Sequence, residues 1–190
     1  ELPVELAAFD ATLDGRAVTL AWKTLSEENN AGFEVQRRIG AEKDFERIGY
    51  VEGAGTTTQS RSYQFEDAAV PFEVKEVTYR LKQVDYGGTS EYSPEVEVTI
   101  DAPDELALHG NYPNPFRERT TIRYELPRAG DVRIDVYNVL GQRVATLVDE
   151  RMEAGREEMV FDARRLASGV YFVRLRAADE TRVEKITVVR

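Results

Sequence analysis

Apolar and polar side chains alternate one by one along most of this chain. In VTLAWK (18–23), Val18, Leu20 and Trp22 point one way while Thr19, Ala21 and Lys23 point the other. A strand turns successive side chains to opposite faces, so a period of two marks a half-buried strand. The same beat runs through VTYRLKQVD (77–85), EVEVTI (95–100), TTIRYELP (120–127) and DVRIDVYN (131–138). No window of comparable length carries a convincing helical period. The expected fold class is all-β, with each alternating strand needing a second layer over its apolar face.

Strands and turn signals divide into two sets. The first has VELAAFDAT at the start, VTLAWK, FEVQRR (33–38), FERIGYVEG (45–53), SYQFED (62–67), VTYRLKQVD and EVEVTI. SEENNAG reads as a polar loop and YGGTSEYS as a turn. Seven short strands in about a hundred residues indicate an antiparallel sandwich. The second set follows APDELALHG (102–110), a linker or first edge segment. It comprises TTIRYELP, DVRIDVYN, RVATLVD (143–149), REEMVFDA (156–163), SGVYFVRLRA (168–177) and RVEKITVV (182–189). VLGQ, with Gly141, makes a tight connection, and Gly169 permits a turn before a strand. The charge changes between the sets: residues 1–101 carry 20 acids and 10 bases, residues 102–190 carry 15 of each. That step and Pro103 place a junction near residues 101–106. The expected organisation is two tandem antiparallel β-sandwich domains, 1–101 and 102–190.

Several function classes lack support. No cysteine is present, which removes disulfides and thiolate metal sites. Neither half is net basic, against a nucleic-acid partner. No stretch approaches the ~18 apolar residues of a membrane span. The single histidine, His109, stands beside Gly110 and reads as a solvated linker residue. None of the serines has a histidine placed for a triad. Asp149, Glu150 and Glu153 form an acidic turn without the DxDxDG spacing of a calcium loop. Trp22 alternates with Val18 and Leu20, which makes it core rather than a sugar-stacking residue. The expectation is no enzyme, with no catalytic, cofactor or metal residues. The opening ELPVEL has no initiator Met and no basic-then-apolar leader, and reads as part of something longer.

One hexamer stands apart. In NYPNPF (111–116), Pro113 and Pro115 interrupt a segment flanked by Tyr112 and Phe116. Proline cannot donate to a β-ladder, so prolines here favour an edge or an entry path. The expectation is a rigid edge cap, with both aromatics pinning it to the sandwich and each burial stabilising by roughly 2 kcal/mol.

Two resemblances follow from these blocks. LPVELAAFDATLDGRAVTLAWKTLSEENNAGFEVQRR with YRLKQVDYGGTSEYS resembles the fibronectin type III-like module found near the C-terminus of many secreted bacterial proteins. It covers roughly residues 2–100, with Trp22 and Tyr79 at that family's core tryptophan and tyrosine. The ordered set NYPNPF, YNVLGQRVATLVD, LASGVYFVRLRA and a closing strand with Lys185 resembles the C-terminal sorting domain of the type IX secretion system, over roughly residues 106–190. Arg174, Arg176 and Arg182 near the last hairpin are an unusual arginine load for it.

The second resemblance implies a function. The chain would be the non-catalytic C-terminal region of a secreted bacterial protein: a spacer sandwich and a folded signal for outer-membrane translocation. Its implied partners are the type IX translocon or shuttle, an upstream cargo domain in cis and, where the domain is removed rather than retained as in some members, a surface sortase. Its implied place is the cell surface or the medium, reached through the periplasm. The implied sorting residues are Asn111, Tyr112, Pro113, Asn114, Pro115, Phe116, Gly141, Gly169, Tyr171 and Lys185. The alternative is a tandem sandwich that binds polysaccharide or a surface protein, which would show an exposed aromatic row on one sheet.

Overall fold

The computed structural model describes residues 4–42 and 44–190, and all of its regular structure is strand. Leu2 and Pro3, part of the first resemblance, lie outside the described residues. The chain divides into two compact units, the first ending at Ile100 and the second running Asp101–Arg190. Each has its own buried cluster.

The first unit holds β1 (Val4–Asp14), β2 (Ala17–Ile39), β3 (Glu46–Thr57), β4 (Arg61–Asp67), β5 (Glu76–Asp85), β6 (Ser90–Tyr92) and β7 (Val96–Thr99). The first half of β2 pairs with β1 and β4, and its second half with β3 and β5. Both β6 and β7 lie on β5. One strand therefore belongs to both layers of the sandwich. The rings of Trp22 and Phe33 lie 5.5 Å apart edge to face. Eleven extended residues would span roughly 36 Å, so β2 folds over between them. Trp22 stacks on Tyr63 at 5.6 Å and is buried with Val18, Leu20, Val35 and Tyr79.

The expected loop SEENNAG is instead the bend of β2, and the expected turn YGGTSEYS contains β6. Register shifts fall on both sides of Asn30, and Asn29 takes φ 53°. Two of the bend's polar residues, Glu27 and Asn30, are buried, while Glu28 and Asn29 face water. Glu27 is 3% exposed and accepts hydrogen bonds from the Thr24 hydroxyl (2.8 Å), the Asn30 amide (2.8 Å), the Ala54 N–H (2.8 Å) and the Tyr63 hydroxyl (2.6 Å). One carboxylate thus satisfies donors from β2, β3 and β4 at the corner. Burial pushes its pKa up, but the hydrogen bonds from Tyr63, Asn30, Ala54 and Thr24 outweigh burial and hold it below the usual carboxylate value. A second buried polar group closes the far end. There Arg37 pairs with Asp67 at 2.9 Å, and the Tyr79 hydroxyl donates to Asp67 at 2.9 Å.

The second unit holds β8 (Ala107–Tyr112), β9 (Arg119–Leu126), β10 (Gly130–Asn138), β11 (Arg143–Met152), β12 (Gly155–Asp162), β13 (Gly169–Ala177) and β14 (Glu180–Val188). A four-stranded sheet, β11-β10-β13-β14, covers a three-stranded one, β12-β9-β8. Ile122, Tyr124 and Leu126 of β9 meet Val132, Ile134 and Val136 of β10 and Val173 and Leu175 of β13 in the core between them. Residues 107–110 of the possible linker are edge strand β8, and His109 sits on it with Nε2 3.2 Å from Glu125. Asp149 and Glu150 belong to β11 rather than to a turn.

Candidate functional site

The NYPNPF segment leaves β8 and crosses to the free edge of β14. Phe116 N–H donates to Thr187 O at 3.0 Å, and Val189 N–H donates to Phe116 O at 2.8 Å. Phe116 makes a parallel bridge with Val188. Between the prolines, Asn114 does with its side chain what a proline nitrogen cannot. Its amide N–H donates to Lys185 O at 3.2 Å, and its Oδ1 accepts from Thr187 N–H at 3.0 Å. A side-chain carboxamide thus stands in for a peptide group on the ladder. The segment is a strap that covers the half of the β14 edge from Lys185 to Val189. Both X–Pro bonds within it, Tyr112–Pro113 and Asn114–Pro115, are cis.

Asn111 anchors the other end. Its amide donates to Pro113 O at 2.9 Å and to Thr120 Oγ1 at 2.8 Å, and Thr120 donates to Pro113 O at 2.8 Å. The two flanking aromatics part company. Phe116 is 2% exposed and meets Phe161 with ring centroids 6.3 Å apart. Tyr112 is 83% exposed and pins nothing, which corrects the expectation of two buried aromatics. The cause lies two residues upstream. Leu108 pairs with Tyr124, but the register then slips so that Asn111 pairs with Ile122 and Tyr112 with Thr121. Gly110, at φ 76°, absorbs the extra residue as a β-bulge. An inserted residue reverses the facing of everything after it, so Asn111 turns inward and Tyr112 outward.

The remaining expected positions are spread over one end of the same sandwich. Gly141, at φ 76°, forms the β10–β11 turn, where Asn138 Oδ1 accepts from Leu140 and Gln142 N–H, both at 3.0 Å. That turn presents Val139 and Leu140 to solvent. Asn138 pairs with Tyr171 across β10 and β13. Tyr171 is a core residue whose hydroxyl donates to Ala167 O at 3.0 Å. Gly169 begins β13 opposite Val188, and its φ lies outside the left-handed region. Lys185 contributes a backbone carbonyl to the strap and an exposed side chain.

Protein-family comparison matches residues 111–189, from the first residue of the strap through β14, to the secretion system C-terminal sorting domain. The second unit is a type IX sorting domain. Two solved structures align with 98% of the chain: dimeric latent PorU from Porphyromonas gingivalis, at 16% identity, and the FN1–FN3 domains of chicken CNTN1, at 15%. The TM-score is 0.36 in both cases, and the chain spans 20% of the PorU chain and 67% of the CNTN1 chain. No curated protein matches. A sorting domain assigns the protein to export, at the cell surface or as a secreted product. No helix among the described residues is long and apolar enough to cross a membrane.

The sorting domain also carries a charged cluster that spacing alone could not assemble. Val132, Ile134 and Val136 face the core, so Arg133, Asp135 and Tyr137 project from the outer face of the four-stranded sheet. Asp135 is nonetheless 0% exposed. Its Oδ2 accepts from Arg133 Nε (2.9 Å) and the Tyr137 hydroxyl (3.2 Å), and its Oδ1 from the Thr146 hydroxyl (2.8 Å). Guanidinium nitrogens of Arg176, Arg143 and Arg174 stand 3.6, 3.9 and 4.0 Å away. Burial pushes the Asp135 carboxyl up, and the hydrogen bonds from Thr146 and Arg133 with the Arg133 charge bring it below its usual value. Arg133 also holds Asp149 at 2.9 Å, which ties that acid to the sheet.

The first unit offers three exposed tyrosines, Tyr50, Tyr86 and Tyr92. Arg47 lies over the Tyr50 ring at 5.4 Å and Arg80 over Tyr92 at 4.0 Å. Two of the three exposed rings therefore already carry a guanidinium group on one face.

Proposed function

We propose that the sorting domain is a folded address for outer-membrane translocation and surface sorting. The first sandwich then serves as a non-catalytic spacer behind an upstream cargo domain. The translocon or its shuttle reads the folded surface, and a surface sortase acts at the cargo boundary. The observation that carries this reading is the strap. It joins Asn111–Phe116 to Lys185–Val189, so the expected recognition residues at the two ends of the domain form one surface. Tyr112, exposed beside that junction, and Lys185 are available to a receptor, while Asn114 and Phe116 hold the strand that presents them. A non-catalytic role is supported by how the titratable groups are engaged. His109 contacts Glu125, and the shifted carboxyls of Glu27, Asp135 and Asp162 are each held by structural hydrogen bonds.

The test fuses residues 1–190 behind a fluorescent reporter with an N-terminal signal peptide, in a host with a type IX system. The reporter reaches the surface or the medium, and removing residues 182–190 strands it in the periplasm. Export that persists without those residues, or a fusion that never leaves the periplasm while the host's own cargo does, overturns the assignment. Hydrolase panels on glycans, esters and peptides stay blank. A turnover abolished by replacing a single carboxylate overturns the non-catalytic reading.

A further inference from the structure

The outer face of β11-β10-β13-β14 is charged against the balance of the chain. The chain's formal net charge is −10. On this face Arg133, Arg143, Arg174 and Arg176 surround the single carboxylate of Asp135, and Lys185 follows on β14. Asp149 neutralises part of Arg133, and the cross-strand pair Asp131–Arg151 adds no net charge. More guanidinium groups than carboxylates remain, at 30 to 51% side-chain exposure.

These arginines are also held in place. Asp135 accepts a hydrogen bond from Arg133 and lies 3.6 to 4.0 Å from Arg176, Arg143 and Arg174, and Arg174 also donates to the Tyr137 hydroxyl and lies over its ring at 4.3 Å. An arginine whose rotamer is already restricted loses less entropy when it binds an anion. Like charges gathered this closely repel, and an acidic partner relieves that repulsion. The exposed apolar side chains on this face of β13 and β14 are Val170, Phe172 and Val183. Arginine and aromatic residues with little lysine is the composition of a protein–protein contact rather than of a polybasic membrane patch. Four strands about 4.8 Å apart, each about nine residues long, make a flat face on the order of 500 Å². That is the scale of a small, transient interface.

We infer that this face is a docking surface for an acidic protein surface, with Arg143, Arg174 and Arg176, organised by Asp135, as its carboxylate-recognising groups. The partner's identity as part of the export machinery rests on the sorting reading; the chemistry of the face does not.

Two assays on the full chain separate the two. In the first, a 20-residue poly-L-glutamate peptide is the probe, titrated at low and physiological salt. The chain binds it in a salt-dependent manner, and Arg174→Gln/Arg176→Gln weakens binding about tenfold. The control Arg119→Gln/Arg123→Gln, on the opposite sheet, leaves it unchanged. Arg143→Gln, at the most exposed arginine of the cluster, keeps the test valid if the double variant melts early. In the second assay, the reporter fusion carrying the same variants is followed to the cell surface. Selective loss of peptide binding together with loss of surface delivery, at an unchanged melting temperature, supports the inference. Equal losses in the control variant overturn it, as does unimpaired binding by both arginine variants. Binding to phosphatidylglycerol vesicles but not to the peptide overturns it in favour of a membrane surface. If the wild-type fusion is never exported while the peptide result holds, the sorting reading fails and the docking chemistry stands.

Discussion

Phe116→Ala and Tyr112→Ala make a paired experiment on the strap. The two aromatics bracket the same two prolines, yet one is 2% and the other 83% exposed. Removing the Phe116 ring opens a cavity against Phe161 and loosens the bridge to Val188. Truncating a buried phenylalanine costs about 3–5 kcal/mol. Removing the Tyr112 ring takes away surface already in water and costs less than about 0.5 kcal/mol. A domain of this size loses roughly 4–8 °C of Tm per kcal/mol. Phe116→Ala therefore lowers the melting of the sorting domain by on the order of 20 °C, and Tyr112→Ala leaves it within a few degrees. Differential scanning calorimetry of the full chain reads both, with the transition of the first sandwich as internal reference. Equal shifts for the two variants, or a larger one for Tyr112→Ala, refute the bulge-based facing of these residues. The pair also sorts stability from recognition. Export lost in Phe116→Ala follows from an unfolded address, whereas export lost in a stable Tyr112→Ala protein identifies Tyr112 as a contact.

Glu27 gives the first sandwich an acid limb. Its folded pKa lies below its unfolded value of 4.5, so the unfolded chain binds the extra proton. The stability it contributes is present above about pH 4.5 and lost as pH falls through the lower folded value; urea melts at pH 7, 4.5 and 3 show the decline, and Glu27→Gln flattens it. Gly110→Ala places a side chain at φ 76°, which costs about 1–2 kcal/mol and is read as a lower urea midpoint with unchanged slope. Arg37→Leu leaves Asp67 buried without its cation and destabilises the first sandwich by about 3–5 kcal/mol in chemical denaturation, while Tyr79→Phe, which removes only a hydroxyl, costs about 1–2 kcal/mol.

Much of this molecule was legible because alternation reports facing directly. Val18, Leu20 and Trp22, and later Val132, Ile134 and Val136, are buried as their period of two requires. Three features escaped it, each for a stated reason. SEENNAG looks like a loop because its residues are polar, but Glu27 and Asn30 are buried together inside a bent strand, with Thr24, Ala54 and Tyr63 supplying Glu27's other donors. Tyr112 faces outward because a single glycine shifts the parity of its strand, and parity is lost from sequence wherever a bulge is possible. Asp135 sits on the polar beat of its strand, so alternation alone makes it a solvated residue. Its burial comes from Arg133 and Tyr137 on its own strand, Thr146 and Arg143 on β11, and the distant Arg174 and Arg176 brought beside it by the β10–β13 register. The Arg174 and Arg176 load was visible; its organiser was not. The edge-cap reading of NYPNPF was within reach of the prolines, whereas the carboxamide of Asn114 as a surrogate peptide needed the geometry.

The strap joins residues 71 and 73 positions apart in the chain. Closing so long a loop is entropically costly and is repaid only when the intervening strands are in place. The junction between Asn114 and Thr187 therefore forms only when β14 is in place. A chain caught before β14 has docked has no such junction, whatever its sequence, and if the proposed receptor reads it, every unfinished copy is passed over. On the proposed reading, the contact order of the strap would then screen the address for completeness.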